Sequence, residues 1–276
     1  VGSSARTFVW VDREGNEEIA ISESSPFQEF SLSPDGTKVA VRVSQNGNNL
    51  WIFDLIRNTN TRLTFENDPS FFPVWSPDGE IVAFGPSLSQ KAADGTGELA
   101  SMTDTNNLFP QSFSPNEDIL LVQEGAGNGT NLGMLPLNGN GTVEWLLTES
   151  WGERNAALSP DGNWVAYESN ETGQYEVYVR PFPDIDSGRW EVSSNGGVMP
   201  VWNPTGGELF FRSADGMMAL SYDADPTFRP GSATPLFDMT PYFTDLANRR
   251  ISVAPDGERF LLLKNDDTRT TTTVGD

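Results

Sequence analysis

The sequence contains neither cysteine nor histidine. Without cysteine there is no disulfide and no thiolate, and without histidine the commonest general base and metal ligand is missing. These absences exclude a Ser-His-Asp triad and a histidine-ligated zinc site. No run of 18 apolar residues occurs either, so no stretch is long enough to insert into a membrane as a helix. We therefore expect no catalytic residues, no metal site, no cofactor and no enzymatic activity.

Positive charge is scarce, because 17 basic residues face 39 acidic ones and the formal net charge is −22. Nucleic acids and anionic lipids are bound mainly through Lys and Arg, so this composition argues against either as a partner. The acidic residues are spread along the chain rather than grouped in blocks. Such a distribution is typical of a solvated surface.

One short segment, FFPVWSPDGEIVAF at 71–84, shows what the sequence does contain. Two apolar runs of strand length flank a Ser-Pro-Asp-Gly turn. The proline presets φ at the first central position, and Gly79 tolerates a positive φ. This pattern predicts a hairpin closed by a type I turn with a glycine bulge.

The same turn recurs along the chain. The turn prolines are Pro34, Pro77, Pro115, Pro160, Pro204 and Pro255, which are 43, 38, 45, 44 and 51 residues apart. A period near this length, made of short strands and turns, is typical of a propeller blade of four strands. Two turns depart from the pattern, with Asn116-Glu117-Asp118 in the third unit and Asn203-Pro-Thr-Gly206 in the fifth.

The strands at the two ends of the chain account for the sixth blade. After Pro255 only one strand, Arg259–Leu263, remains, whereas an unused pair of strands, Thr7–Val11 and Glu18–Ile21, precedes the first turn. We predict that the N-terminal pair completes the C-terminal blade, which removes the open edges of a sheet. The predicted fold is all-β: a closed six-bladed propeller of four-stranded antiparallel blades in a single domain, 1–276. The predicted blade starts lie near residues 27, 70, 108, 154, 198 and 248, and residues 7–22 complete the last blade. A sheet sandwich is the structural rival, but it would not need six equal units.

The repeats and several longer stretches resemble the TolB-like, WD-repeat-like six-bladed β-propeller family. The resemblance covers residues 7 to about 265 and includes RLTFENDPSFFPVWSPDG at 62–79 and GGVMPVWNPTGGELFFR at 196–212. The stretch EVYVRPFP at 176–183 is similar to the C-terminal extracytoplasmic propellers of bacterial serine/threonine kinases. Blade two is short after Phe84, where the family usually has a longer hairpin.

This resemblance implies a non-catalytic sensor or scaffold propeller. We expect it to be a monomer outside the cytoplasm, periplasmic or at the cell surface, although a cytoplasmic location stays open. Its expected partner is a small molecule, a peptide or another protein. The alternative is a propeller enzyme, either a hydrolase or a lyase, or a propeller that gates a peptidase.

The turn prolines also align the inner strands. The residues three positions before each proline are all small, so this register is predicted to face the axial channel: Ser31, Val74, Ser112, Ala157, Val201 and Ser252. The next residue of each strand is apolar and faces a neighbouring blade. Trp75 and Trp202 occupy that register and are therefore predicted to be core residues rather than a ligand platform.

Five positions before the prolines the residues become mixed in character, which marks one mouth of the channel. We predict the ligand-binding residues at this mouth and in its nearby loops: Glu29, Asp68, Glu153, Arg154, Asn155 and Arg250. The two arginines are local positive charges that would attract an anionic group such as a carboxylate. The alternative is a structural ion pair between Glu29 and Arg250 at a mouth that holds only water.

Overall fold

The computed structural model describes residues 4–45, 47–65, 70–125, 129–243 and 251–266. Within these residues the chain forms 24 strands and one short 3-10 helix, Ile185–Ser187. The first two strands form a hairpin, β1 (Arg6–Asp12) and β2 (Glu17–Ser25). No helix in the described ranges is both long and apolar enough to cross a membrane.

Five four-stranded antiparallel sheets, here called blades one to five, follow in chain order. Blade one contains β3 (Phe27–Leu32), β4 (Lys38–Ser44), β5 (Asn48–Asp54) and β6 (Thr59–Arg62). Blade two contains β7 (Phe71–Trp75), β8 (Ile81–Gly85), β9 (Ser89–Ala92) and β10 (Ala100–Ser101). Blade three contains β11 (Leu108–Phe113), β12 (Ile119–Glu124), β13 (Asn131–Pro136) and β14 (Glu144–Leu147). Blade four contains β15 (Glu153–Leu158), β16 (Trp164–Ser169), β17 (Glu176–Pro181) and β18 (Trp190–Glu191). Blade five contains β19 (Val198–Trp202), β20 (Glu208–Ser213), β21 (Gly216–Asp223) and β22 (Arg229–Phe237).

The sixth blade joins the two ends of the chain. Its strands are β23 (Ser252–Val253) and β24 (Arg259–Asn265), followed outward by β1 and β2. Strand β1 pairs with β24 in antiparallel register, with Phe8 opposite Leu263 and Val11 opposite Phe260. The structure thus confirms the predicted six-bladed ring and its closure by the N-terminal strands.

The repeated turns have the predicted glycine geometry. Gly36, Gly79 and Gly162 have φ values of 71°, 72° and 73°. In blade one the Ser33 hydroxyl donates to the Asp35 carboxylate and accepts the Lys38 amide, which ties the turn to the start of the next strand. These side-chain bonds explain why serine and aspartate accompany the proline and glycine of the repeat.

Blade three closes its turn without a glycine. Glu117 occupies the glycine position with a φ of 58°. Its carboxylate accepts a hydrogen bond from the Asp78 amide of blade two, at 2.9 Å. A left-handed conformation costs a residue with a Cβ about 1–2 kcal/mol, so this turn is locally strained.

Six clusters of buried apolar side chains fill the interfaces between neighbouring blades. Trp75 and Trp202 belong to two of these clusters and are 5% and 4% exposed. The prediction that both are core residues is confirmed. The hydrophobic core is therefore distributed around the ring rather than gathered in one place.

Blade two is compact where it meets blade three. A Cβ on Gly85 would lie 2.5 Å from the Leu108 carbonyl oxygen and 2.7 Å from the Phe109 ring. Glycine at the end of β8 therefore permits the inner strand of blade three to pack closely against it.

Removal of residues 1–22 is expected to lower the stability of the protein far more than removal of residues 268–276. The first deletion removes β1, the outer partner of β24, together with most of β2, and so exposes an unpaired edge, whereas the second leaves every described strand in place. The melting temperatures of the two truncated proteins, measured at the same concentration, test this. Equal melting temperatures would contradict the role of β1 in closing the ring.

Replacement of Glu117 by glycine is expected to stabilise the protein. It relieves the left-handed strain at the cost of one exposed hydrogen bond and of glycine's greater unfolded-state freedom, for a net gain of about 0.5–1 kcal/mol. Chemical denaturation measures this difference. Asn116→Gly, one residue earlier in the same turn, is the control and is expected to destabilise. A loss of stability in Glu117→Gly would show that the contact with Asp78 outweighs the strain.

Candidate functional site

The inner strands surround an axial cavity of about 310 Å³. Four of the six small residues predicted to face the channel line it: Ser31, Val74, Val201 and Ser252. At the end where the inner strands finish, the wall is formed by turn prolines, including Pro34, Pro204 and Pro255. The end where the strands begin carries the polar side chains Glu29, Gln111 and Asn155. We call this second end the mouth.

The inner strands bend at the mouth. Phe72, Asn155 and Met199 are at the same position of their repeats and have φ values of 56°, 54° and 58°. The pairing register shifts at this point in blades two, four and five. Such bulges re-aim side chains and are frequent next to functional sites.

Glu29 lines the cavity and forms an ion pair with Arg42 of the adjacent strand β4. The two side chains meet as a fork, in which Nε and Nη2 of Arg42 each donate to one carboxylate oxygen, the second at 2.8 Å. The guanidinium also lies 4.9 Å from the centre of the Phe71 ring. Glu29 thus has a partner within its own blade.

Arg154 and Asn155 converge on a carboxylate that the sequence analysis did not identify. Glu168 of β16 is completely buried and accepts bonds from Arg154 Nε at 2.8 Å and Asn155 Nδ2 at 2.7 Å. It also accepts the Met199 amide of blade five, at 2.5 Å. Burial raises the pKa of Glu168, and the charge of Arg154 opposes that effect. This network joins blades four and five beside the channel.

Glu153 lies apart from that network. Consecutive residues of a strand point to opposite faces, so Glu153 and Arg154 lie on opposite sides of β15. Glu153 is 2% exposed, and its Oε2 has no hydrogen-bond partner among the described residues. Burial raises the pKa of Glu153 to about 7, and the negative charge of Glu149 adds to the rise.

The six predicted site residues are therefore only partly brought together. Glu29 and Asn155 line the axial cavity, whereas Arg154 and Glu153 do not. Asp68 and Arg250 lie outside the described residues. The predicted ligand site at the mouth stays a proposal.

Arg42 and Glu168 were missed, although a sequence signal could have found them. Both lie eight residues after the turn proline of their repeat, as does Arg212 in blade five. Charged residues recurring on a strand that is otherwise buried indicate paired or functional groups. Among the described residues no group of three or more acidic side chains is close enough to hold a metal ion.

The chain has distant relatives in sequence. No family model matches the chain. It is 28% identical to the uncharacterised peptidase YuxL of Bacillus subtilis over 147 residues, which are 51% of this chain and 21% of YuxL. It is 25% identical to the uncharacterised protein Atu1656 of Agrobacterium fabrum over 199 residues, 71% of this chain and 52% of the relative. The chain therefore spans between a fifth and about half of these relatives.

Solved structures match over nearly the whole chain. A TolB-type protein from Agrobacterium tumefaciens superposes with a TM-score of 0.73 at 18% identity, covering 96% of this chain and 99% of that one. TolB from Acinetobacter baumannii gives a TM-score of 0.61 at 16% identity, covering 96% and 66%. An oligogalacturonate lyase in complex with manganese gives 0.61 at 13% identity, covering 94% and 96%.

The lyase and the peptidase name correct one expectation of the sequence analysis. The prediction that the protein is not an enzyme is wrong. A lyase matches the six-bladed ring over nearly its whole length, and a sequence relative is named a peptidase. Although the chain has no histidine or cysteine, its carboxylates can still perform acid–base chemistry. At these identities the matches establish the fold alone: the chain is a six-bladed β-propeller, similar in structure to the TolB proteins.

Proposed function

We propose that the protein is a recognition propeller that binds its ligand at the mouth of the axial channel. The observation that carries the proposal is the polarity of the cavity: amide and carboxylate side chains occur at the mouth, while the turn prolines line the opposite end. Concave sites with a few oriented polar groups on a rigid scaffold are the usual form of small-ligand sites.

The mouth combines two kinds of surface. Phe72, Pro73 and Pro110 supply flat apolar contacts. Gln111 and Asn155 supply amide groups, although Gln111 Nε2 also donates to the Pro110 carbonyl oxygen and Asn155 Nδ2 to Glu168. A hydroxyl-rich or amide-rich ligand, such as a short oligosaccharide or peptide, matches this combination. The lyase among the structural neighbours acts on an oligosaccharide, which supports testing sugars first.

We further propose that the protein is the extracytoplasmic part of a bacterial receptor-type serine/threonine kinase. The support is the resemblance of the stretch at 176–183 to kinase-linked propellers. The coding sequence on either side tests this proposal. An upstream kinase with one transmembrane helix would support it, whereas an adjoining α/β-hydrolase domain would favour a propeller that gates a peptidase.

Gln111→Ala is expected to weaken ligand binding about three- to tenfold, because it removes one amide from the mouth. A thermal-shift screen of neutral and acidic oligosaccharides and short peptides supplies the ligand, since a true ligand stabilises the folded state. Titration calorimetry then compares the variant with the unaltered protein.

Gln123→Ala is the matched control. Both glutamines belong to blade three and both are 8% exposed, but Gln123 does not line the cavity. Binding by Gln123→Ala should match that of the unaltered protein. Equal losses in both variants, or in neither, would contradict a site at the mouth.

A second candidate function, acid–base catalysis, is suggested by the lyase among the structural neighbours together with Glu153. Glu153 is 2% exposed and lines neither the axial cavity nor the cavity between blades four and five, so a substrate could reach it only after a local opening of the mouth face. A carboxyl group with a pKa of about 7 can hold or release a proton at neutral pH. Because a lyase must remove a proton from its substrate, we propose oligogalacturonate as the first substrate to assay. If Glu153 is the base, the rate should rise as the pH passes about 7, and Glu153→Gln should abolish the reaction. Turnover that persists in the variant would remove Glu153 from the mechanism.

The same carboxyl group makes a prediction for stability that does not depend on activity. Its pKa is about 7 when folded and near its ordinary value of 4.5 when unfolded, so the protein loses stability as the pH rises through this interval. Glu153→Gln should therefore raise the melting temperature more at pH 8 than at pH 5. The exposed Glu144→Gln should change it little at either pH. Equal shifts at both pH values would show that Glu153 is ionised in the folded state throughout.

A further inference from the structure

A second cavity, of about 500 Å³, opens on the mouth face between blades four and five. Its walls include Arg154, Tyr175 and Arg212 and the loop segment 195–198. It shares no lining residue with the axial cavity and is a separate place on the protein. We call it the inter-blade cavity.

Two donors in the inter-blade cavity have no partner among the described residues. Arg212 Nε and the Tyr175 hydroxyl are both buried and have no hydrogen-bond partner among the described residues. Arg212 also forms no ion pair within the described part of the chain. A buried polar group without a partner costs about 1–3 kcal/mol, so two together need an explanation.

The repeat shows which partner Arg212 lacks. Arg212 and Arg42 lie at the same position, eight residues after their turn prolines. In blade one the carboxylate of Glu29, five residues before the proline, binds the guanidinium through two oxygens. Blade five has Met199 at that earlier position, a completely buried residue that offers no carboxylate. The pair of Glu29 and Arg42 thus shows, within the same protein, that a carboxylate is the group that would pair with Arg212.

The other charges around the inter-blade cavity are already engaged. Glu168 accepts Arg154, whose guanidinium also lies 3.7 Å from the centre of the Tyr175 ring. Glu176 accepts the Gly196 amide at 2.8 Å and the Ser193 hydroxyl at 2.5 Å. Arg212 is therefore the charged residue of the inter-blade cavity that has no partner among the described residues. It is a positive charge on a protein whose net charge is −22.

The loop that forms one wall of the inter-blade cavity packs closely against blade four. A Cβ on Gly197 would lie 2.2 Å from Ser193 Oγ and 3.2 Å from Val177 Cγ2. The Gly197 amide donates to the Tyr175 carbonyl oxygen at 2.9 Å, which fixes the tyrosine beside the loop. The arrangement is held by the backbone and does not depend on a ligand to form it.

We propose that the inter-blade cavity binds a small molecule carrying one carboxylate, such as a sugar acid or an amino acid derivative. The carboxylate takes the role toward Arg212 that Glu29 has toward Arg42, with two oxygens on the guanidinium fork, and the Tyr175 hydroxyl donates a further bond. One positive charge without a described partner and one neutral donor suit a monoanion better than a phosphate dianion. This site goes beyond the proposed function, because it uses a different cavity.

D-galacturonate and N-acetylalanine are the probes, and the neutral galactose and N-acetylalanine amide are their controls. The two acids present the same carboxylate on a sugar and on a peptide-like molecule, so they separate the two sources. At least one acid should raise the melting temperature in proportion to its concentration, less so at high salt, while its neutral control should not. Acid and neutral compounds with equal effects would overturn the proposal.

Three variants locate the effect. Arg212→Gln should weaken binding of the effective acid about tenfold or more, and Arg212→Lys should weaken it less, because lysine keeps the charge but loses the fork. Tyr175→Phe should weaken binding about three- to tenfold and leave the fold stable, since the hydroxyl it removes has no described partner. Unchanged affinity in both Arg212→Gln and Tyr175→Phe would overturn the proposal.

Two control variants complete the experiment. Arg57→Gln removes an arginine whose side chain is 78% exposed, and it should bind the acid normally. Gln111→Ala alters the axial cavity alone, so normal binding of the acid by this variant separates the inter-blade site from the proposed function. Loss of binding in Gln111→Ala with normal binding in Arg212→Gln would place the acid in the axial channel and overturn the proposal.

Discussion

The pairing of β1 with β24 is the contact on which the other parts of the structure depend. Its register runs from Arg6 opposite Asn265 to Asp12 opposite Arg259, so two ends of the chain far apart in sequence share one sheet. Without this pairing the last blade would have two strands and an exposed edge. With it, every blade has a neighbour on each side, and all six apolar interfaces can form. The axial cavity exists because the ring is closed.

Hydrogen bonds between inner strands link the blades near the axis. The Trp75 indole donates to the Ser31 carbonyl oxygen of blade one, and the Trp202 indole donates to the Ala157 carbonyl oxygen of blade four, both at 2.9 Å. At two other interfaces a serine hydroxyl accepts an amide of the next blade, Ser252 from Leu32 and Ser112 from Leu158. Small side chains at the axis therefore do more than leave space. They let backbone and hydroxyl groups of neighbouring blades reach one another.

The same repeat positions that build the ring carry different chemistry from blade to blade. Eight residues after the turn proline stand Arg42, Glu168 and Arg212, whereas blade two has Gly85 at this point. The position lies at the end of the second strand, near the mouth face, and its surroundings differ between blades: Glu168 is completely buried, and a Cβ on Gly85 would lie 2.5 Å from the Leu108 carbonyl oxygen. Arg42 forms an ion pair with a carboxylate of its own blade, and Glu168 lies in a buried hydrogen-bond network. Arg212 Nε has no hydrogen-bond partner among the described residues. Differences between equivalent positions thus point to candidate binding groups more sharply than any single residue does.

The fold could be derived from the sequence because its determinants are local and repeated. Proline, aspartate and glycine impose the turn at each repeat, the spacing of the turns sets the number of blades, and the unpaired strands at the two ends require closure. The alternation of a strand also placed Trp75 and Trp202 in the core. The partners of the charged residues could not be derived in this way, because they depend on which strands lie side by side and on bulges that shift the alternation. Asn155 lies on the same side of β15 as Arg154 and shares Glu168 with it, since the bulge at Asn155 interrupts the two-residue period. Only the tertiary structure could bring Glu29 to Arg42 and leave Arg212 beside an open cavity, because hydrogen bonding and burial are decided between strands rather than along them.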